Sequence, residues 1–318
     1  MRGFQRILLE LKDVVRRHKP GDELEPPRSL SMTEIFGHRL AYLAAGLEHG
    51  DHRSPVVLVH GFGGFFMDWP RIMAPVSRYT RVYALDLPGW GFSEANPSAR
   101  TIEDDVAAVD EFMRTLGLQD VILCGLSYGA GVAWASAALN ASRLKHVVLL
   151  NPMPPHPLRY MRSPLYRAIF LLNSFERAGA WGHWLLTKSQ YKTICRENLV
   201  NYRLLDSFYL DLAYLVIKQP KILSMLRGHA QAAREIDWKA WEQRLSDVRV
   251  PVTILQGRED RIFSLESATF LHRLIPTSEM IEVEKCGHAI VFDRHKRVSD
   301  QLIKILNVEK ADVVPAIN

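Results

Sequence analysis

Val121-Ile122-Leu123-Cys124-Gly125-Leu126-Ser127-Tyr128-Gly129-Ala130-Gly131, continuing into Val132-Ala133-Trp134-Ala135, reads as a short apolar strand, a Gly-x-Ser-x-Gly pentapeptide and a helix. A serine hydroxyl is a poor nucleophile. It becomes useful only on a fixed backbone, with a base in reach and amides facing the developing oxyanion. A sharp strand-to-helix turn supplies that setting. Gly125 and Gly129 carry no side chains, so strand and helix can approach closely while Ser127 is held strained between them. The pentapeptide alone turns up by chance, and a tightly packed glycine-rich turn looks the same. Its place between strand and helix is what gives it weight.

Outward from this turn, short β-rich runs at 39–43, 55–60, 81–85, 121–125 and 146–150 alternate with helical patterns. The pattern stops at Asn151 and resumes with runs at 251–256 and 280–283, then a helix over about 290–306. Such alternation predicts an α/β fold, a mainly parallel twisted sheet flanked by helices. Residues 152–249 differ: they are helical in pattern and rich in aromatics, Tyr160, Phe175, Trp181, Trp184 and Tyr202 among them. We expect an inserted helical cap there, with most of those rings in its core, and an α/β core made of 32–151 and 250–318.

The first residues place Phe4, Ile7, Leu8, Leu11, Val14 and Val15 at helical spacing on a basic background. This amphipathic helix either packs its stripe on the body, the preferred reading, or makes a peripheral membrane contact through residues 1–19. A stretch with Pro20, Gly21, Pro26 and Pro27 then reads as a linker, so that 1–31 forms an N-terminal appendage.

The chain has 318 residues, 47% hydrophobic and 24% charged, a composition that can bury a sizeable core. Its net charge of +5 is spread along the chain, which argues against a nucleic-acid partner. Three cysteines, Cys124, Cys195 and Cys286, match no metal-ligand spacing and cannot all pair within one chain. They favour a reducing compartment, with Cys124 and Cys286 as small buried hydrophobes. There is no apolar run of about twenty residues and no signal-peptide pattern. A cytoplasmic location is therefore expected, peripheral to a membrane if the N-terminal helix docks there. The oligomeric state stays open.

From about Leu40 to Leu306 the chain resembles the α/β-hydrolase superfamily, in its serine-nucleophile, esterase- and lipase-like branch. His60-Gly61-Phe62-Gly63-Gly64 is similar to the family's oxyanion loop, which implies the Phe62 amide as one donor and Tyr128, next to the nucleophile, as the second. In that loop His60 reads as structural. Asp86-Leu87-Pro88-Gly89-Trp90-Gly91-Phe92-Ser93 resembles the family's D-x-P-G-x-G-x-S loop, with Asp86 a loop-fixing acceptor. Gly257-Arg258-Glu259-Asp260 resembles the acid loop, with Asp260 in the acid position and Glu259 its rival; Arg258 and Arg261 either keep the acid ionised or solvate the loop. Cys286-Gly287-His288-Ala289-Ile290 resembles the histidine loop; of the 12 histidines, His288 alone follows the last strand. Asp293 and His295 fall beyond it on what reads as a solvated helix face. The order serine, acid, histidine is the one this fold uses.

The resemblance implies an acyl-enzyme on Ser127, with His288 as base and Asp260 orienting it, and no cofactor or metal. Serine in place of aspartate points away from the dehalogenase and epoxide-hydrolase branches, and Asn151 removes a rival acid position. A small apolar ester with an acyl or aryl group is the expected substrate. C–C bond hydrolysis, amide hydrolysis and acyl transfer use similar triads. A non-catalytic ligand- or partner-binding fold is the reading of another class.

Overall fold

A computed structural model describes residues 2–22, 24, 28–49, 53–96, 101–173, 175 and 182–312. Pro26, Pro27 and Trp181 lie outside them. The strands are β1 (Ser31–Ile35), β2 (His38–Ala45), β3 (Val56–Val59), β4 (Val82–Leu85), β5 (Val121–Leu126), β6 (Leu144–Leu150), β7 (Val252–Gly257) and β8 (Ser278–Val283). They form one eight-stranded sheet in the order β1-β2-β4-β3-β5-β6-β7-β8. From β4 to β8 neighbours run parallel, while β2 is antiparallel to both β1 and β4. β3, β4 and β5 are buried at every position, as strands covered on both faces must be, which is why they read as unbroken apolar runs. This is the α/β-hydrolase fold expected of the sequence.

Helix Pro70–Val76 packs against His295–Asp312, while Ile102–Thr115, Tyr128–Leu139, Trp238–Ser246 and Leu265–Leu274 pack in a row. Trp134 and Trp241 meet edge to face in that row, their centroids 5.3 Å apart. β1 escapes the sequence pattern because it is a half-exposed edge strand with no apolar run. What forms it is its turn: Phe36 and Gly37 both have positive φ (51° and 78°) between the paired Ile35 and His38, the two-residue geometry that suits a right-twisted hairpin.

Between β6 and β7 the described residues are helical, including Pro164–Asn173, Lys188–Glu197, Ser207–Ile217 and Pro220–Glu235. Their starts are local chemistry: a Thr187–Gln190 capping box, an Asp206 cap and a proline in the first turn at Pro220. Tyr191 and Tyr214 are buried there and Tyr160, Tyr166, Phe208 and Tyr209 pack half-buried against the core, while Phe175, Trp184 and Tyr202 are exposed. The N-terminal helix, Arg2–Arg17, lays its stripe on this insertion, against Ser207–Ile217. Ile7, Leu11 and Val14 are buried, and the Ser29 amide and hydroxyl both donate to Glu10 Oε2 (3.1 and 2.8 Å). The apolar face is thus covered by the body. Among the described residues no helix is long and apolar enough to cross a membrane.

Because β3 to β8 run in one direction, the loops bearing His60, Asp86, Ser127, Asn151, Asp260 and His288 all leave one edge of the sheet, where ligands bind in open α/β sheets.

Candidate active site

Ser127 sits between β5 and helix Tyr128–Leu139 at φ 53°, ψ −111°, a conformation that costs an L-residue about 1–3 kcal/mol. The surroundings impose it. Its N–H donates to the Leu150 carbonyl on β6 (2.9 Å), and its own carbonyl accepts from Gly131 and Met153 (both 3.0 Å). The two glycines are required by space: a Cβ on Gly125 would strike the Gly129 carbonyl, and one on Gly129 would strike the carbonyls of Val59 and His60.

Asp260 is buried behind β7. Its Oδ1 accepts from the amides of Ile262 (2.7 Å) and Phe263 (3.0 Å), and its Oδ2 from His288 Nδ1 (2.8 Å) and Gln256 Nε2 (3.2 Å). All four partners are donors, the arrangement a carboxylate requires. A proton on His288 Nδ1 leaves Nε2 of the neutral ring with its lone pair free. Among the described residues no hydrogen bond joins that ring to the Ser127 hydroxyl; such contacts are often long before substrate binds. The rival Glu259 instead accepts from the Cys286 amide (2.8 Å). Arg258 pairs with Glu282 and Glu284, away from Asp260.

Asn151, at the end of β6, joins these loops. Fully buried, with φ 42°, it donates through Nδ2 to the carbonyls of Gly287 (2.8 Å) and His288 (2.7 Å). Its Oδ1 accepts from the Gly257 amide (2.7 Å). One side chain therefore fixes the histidine loop to the end of the acid strand, next to the carbonyl that anchors Ser127. In the sequence Asn151 stood out only as a missing acid.

Asp293 corrects the solvated-face reading. The helix expected over 290–306 is broken at Arg294 into Ile290–Asp293 and His295–Asp312, and Asp293 is buried at the break. Its carboxylate accepts from the amides of Gly287 (2.9 Å), Val200 (2.9 Å) and Asn201 (3.1 Å), while the Ala289 amide donates to the Asn198 carbonyl (2.8 Å). The insertion thus grips the histidine loop opposite Asn151.

The Phe62 loop lies against Ser127: a Cβ on Gly61 would come within 3.3 Å of the serine Cβ. Among the described residues neither the Phe62 nor the Tyr128 amide is spent on a protein acceptor. The Phe62 ring packs edge-on against Trp90 (5.1 Å) and Tyr128 (6.0 Å). Asp86 fixes its loop by accepting from the amides of Phe66 (2.5 Å) and Phe92 (2.8 Å). Cys124 and Cys286 are buried, and burial pushes both thiols upward, so neither competes as a nucleophile.

His60 is buried, accepting at Nε2 from the Leu87 amide (3.1 Å) and meeting the Gly61 carbonyl through Nδ1 (2.8 Å). That pattern needs a neutral ring, and burial lowers its pKa to about 4. A depressed histidine costs stability as pH falls from the unfolded value near 6.5 towards 4, by about 3 kcal/mol at full protonation. We expect a midpoint in urea that falls over this window, and a shallower fall in His60→Gln, whose amide can accept from Leu87 and donate to Gly61 without titrating. Equal slopes would remove His60 as the cause.

Comparison with known proteins agrees with the fold. A family model described as alpha/beta hydrolase fold matches residues 54–295. The chain is 26% identical over 269 residues to the 2-hydroxy-6-oxo-2,4-heptadienoate hydrolase of Pseudomonas putida, covering 80% of this chain and 91% of that one. It is 21% identical over 297 residues to the mouse monoacylglycerol lipase ABHD6, covering 88% and 84%. Among solved structures, a meta-cleavage product hydrolase from Pseudomonas fluorescens superposes with a TM-score of 0.71 at 20% identity, over 88% of this chain and 98% of that one.

Proposed function

The chain belongs to the α/β-hydrolase family, and from that premise we propose that it is a serine hydrolase that cleaves a carboxylic ester with an apolar acyl or aryl group through an acyl-enzyme on Ser127. The observation that carries this reading is the buried Asp260–His288 pair (2.8 Å), held by Asn151 beside the strained Ser127 turn. His288 Nε2 takes the hydroxyl proton as Ser127 Oγ bonds to the ester carbonyl carbon. The carbonyl oxygen becomes an oxyanion facing the unspent amides of Phe62 and Tyr128. As the ester C–O bond breaks, the imidazolium protonates the leaving alkoxide. Water then gives its proton to His288 and its oxygen to the acyl carbon, and Ser127 regains its proton as the acid departs.

The half-exposed ring of Phe62 in the loop against Ser127 supports an apolar acyl group, as does the lipase name of the mouse relative. At about 0.8 kcal/mol per buried methylene, kcat/KM for p-nitrophenyl esters should climb up to about fourfold per carbon from acetate until the pocket is full. Ser127→Ala should lose the whole series. Its retaining turnover would overturn the proposal. The name of the Pseudomonas putida relative favours a second reading, C–C bond hydrolysis by the same residues. Faster turnover of 2-hydroxy-6-oxo-2,4-heptadienoate than of every ester would install that reading instead.

A further inference from the structure

A second buried polar cluster lies beside the candidate oxyanion amides. His229, on the insertion helix Pro220–Glu235, reaches across to Asp105 on helix Ile102–Thr115, with Nε2 and Asp105 Oδ2 3.0 Å apart. The Tyr128 hydroxyl donates to the same oxygen (2.6 Å). His229 is 5% exposed, Asp105 1% and Tyr128 7%. The protonation state follows from the partners: Nδ1 faces the Met225 carbonyl (2.9 Å) and Nε2 a carboxylate, so both nitrogens carry protons and the ring is an imidazolium. Its face and edges meet Tyr128 (5.3 Å), Trp90 (5.9 Å) and Phe62 (6.2 Å), a cage suited to a cation. Among the described residues Asp105 Oδ1 has no hydrogen-bond partner. A neutral ring could still donate through Nε2, but the buried carboxylate would then have no countercharge and the Met225 carbonyl no Nδ1–H, an expensive arrangement.

We propose that His229 and Asp105 are positioning residues for the oxyanion site: an ion pair closed between insertion and core that holds Tyr128, and with it the Phe62 loop, in the geometry that receives the oxyanion. The inference rests on the reading in which the Tyr128 and Phe62 amides are the donors. The tie acts on Tyr128 by its hydroxyl and on Phe62 by the ring that Tyr128, Trp90 and His229 enclose. It also makes the site depend on pH. Burial alone would lower the histidine pKa, but the hydrogen bond and charge of Asp105 outweigh it and hold the pKa raised. Asp104 on the same helix adds to that field; Tyr128, which the charges of Glu103 and Asp104 also reach, and His60, which feels the charge of Asp105, are titratable neighbours of the cluster. A raised histidine keeps its pair intact at neutral pH and loses it as pH climbs through the folded value.

The test measures kcat and KM for a p-nitrophenyl ester from pH 6 to 10 in wild type, His229→Gln, Tyr128→Phe and Ser127→Ala, with circular dichroism on each. Glutamine can still donate to Asp105 but carries no charge and does not titrate. The expected result is an alkaline fall in wild-type kcat that is absent in His229→Gln. At pH 7, kcat of that variant should be about 10- to 100-fold lower, the scale of a misplaced catalytic group, with KM within about threefold. Tyr128→Phe, which removes one hydroxyl, should share the kcat loss and keeps the proposal testable if His229→Gln does not fold. A wild-type kcat and pH profile in folded His229→Gln or Tyr128→Phe, with Ser127→Ala inactive, overturns the proposal and leaves the hydrolase reading standing. So does a raised KM at unchanged kcat. Full turnover by Ser127→Ala overturns the hydrolase reading, and this inference with it.

Discussion

Ser127→Gly is expected to stabilise the protein by about 1–3 kcal/mol while lowering ester turnover at least about 10⁴-fold, the scale of a lost nucleophile. Both effects come from one residue. At φ 53°, ψ −111° a Cβ is strained, and glycine relieves that strain. In the proposed mechanism the hydroxyl bonds to the acyl carbon, and glycine lacks it. Ser127→Ala separates the two, because it loses turnover equally but keeps its Cβ and should gain no stability. Thermal melts of the two variants check this: Tm should rise by at least about 2 °C for glycine alone. Equal melting temperatures would mean that the turn is not strained as described.

Asn151→Asp is the second large effect and involves no group that bonds to substrate. The replacement is almost isosteric, yet it turns two donors into acceptors facing the carbonyls of Gly287 and His288 (2.8 and 2.7 Å). Leaving such groups unsatisfied costs about 1–3 kcal/mol each, before counting the carboxylate pressed against them. We expect a loss of about 3 kcal/mol or more in urea unfolding. kcat should fall at least about 100-fold, since the histidine loop would no longer be held where its ring must act. Partial recovery of both towards pH 5 is expected, because a protonated carboxyl regains one donor. Wild-type stability in this variant would remove Asn151 from the account.

The legible parts of this molecule were those in which neighbours in sequence do the work. The turn at Ser127 is recognisable from its flanking strand, two glycines and the following helix, all within 121–139, although Leu150 and Met153 help to fix it. The buried parallel strands announce themselves by unbroken apolar runs. β1 does not, because a half-exposed edge strand satisfies no periodicity and depends on the Phe36–Gly37 turn to form. The groups that hold the loops in place were illegible for a different reason. Asn151 acts on residues 106 to 137 positions away, and His229 meets Asp105 across 124 positions. Nothing local distinguishes such an asparagine from one that ends a strand. A possible signal was the residue type itself: an acid just after the histidine loop, among the apolar residues Ile290, Val291 and Phe292, has to find donors there.

The central claim is that Ser127 is a nucleophile activated by His288. Covalent labelling with a fluorophosphonate, mapped by peptide mass spectrometry, tests it most directly, because an unactivated serine stays unlabelled. The account predicts one adduct, on the peptide carrying Ser127, in wild type and its loss in a folded His288→Ala protein. Labelling on another residue, or undiminished labelling of Ser127 without the imidazole, would contradict it.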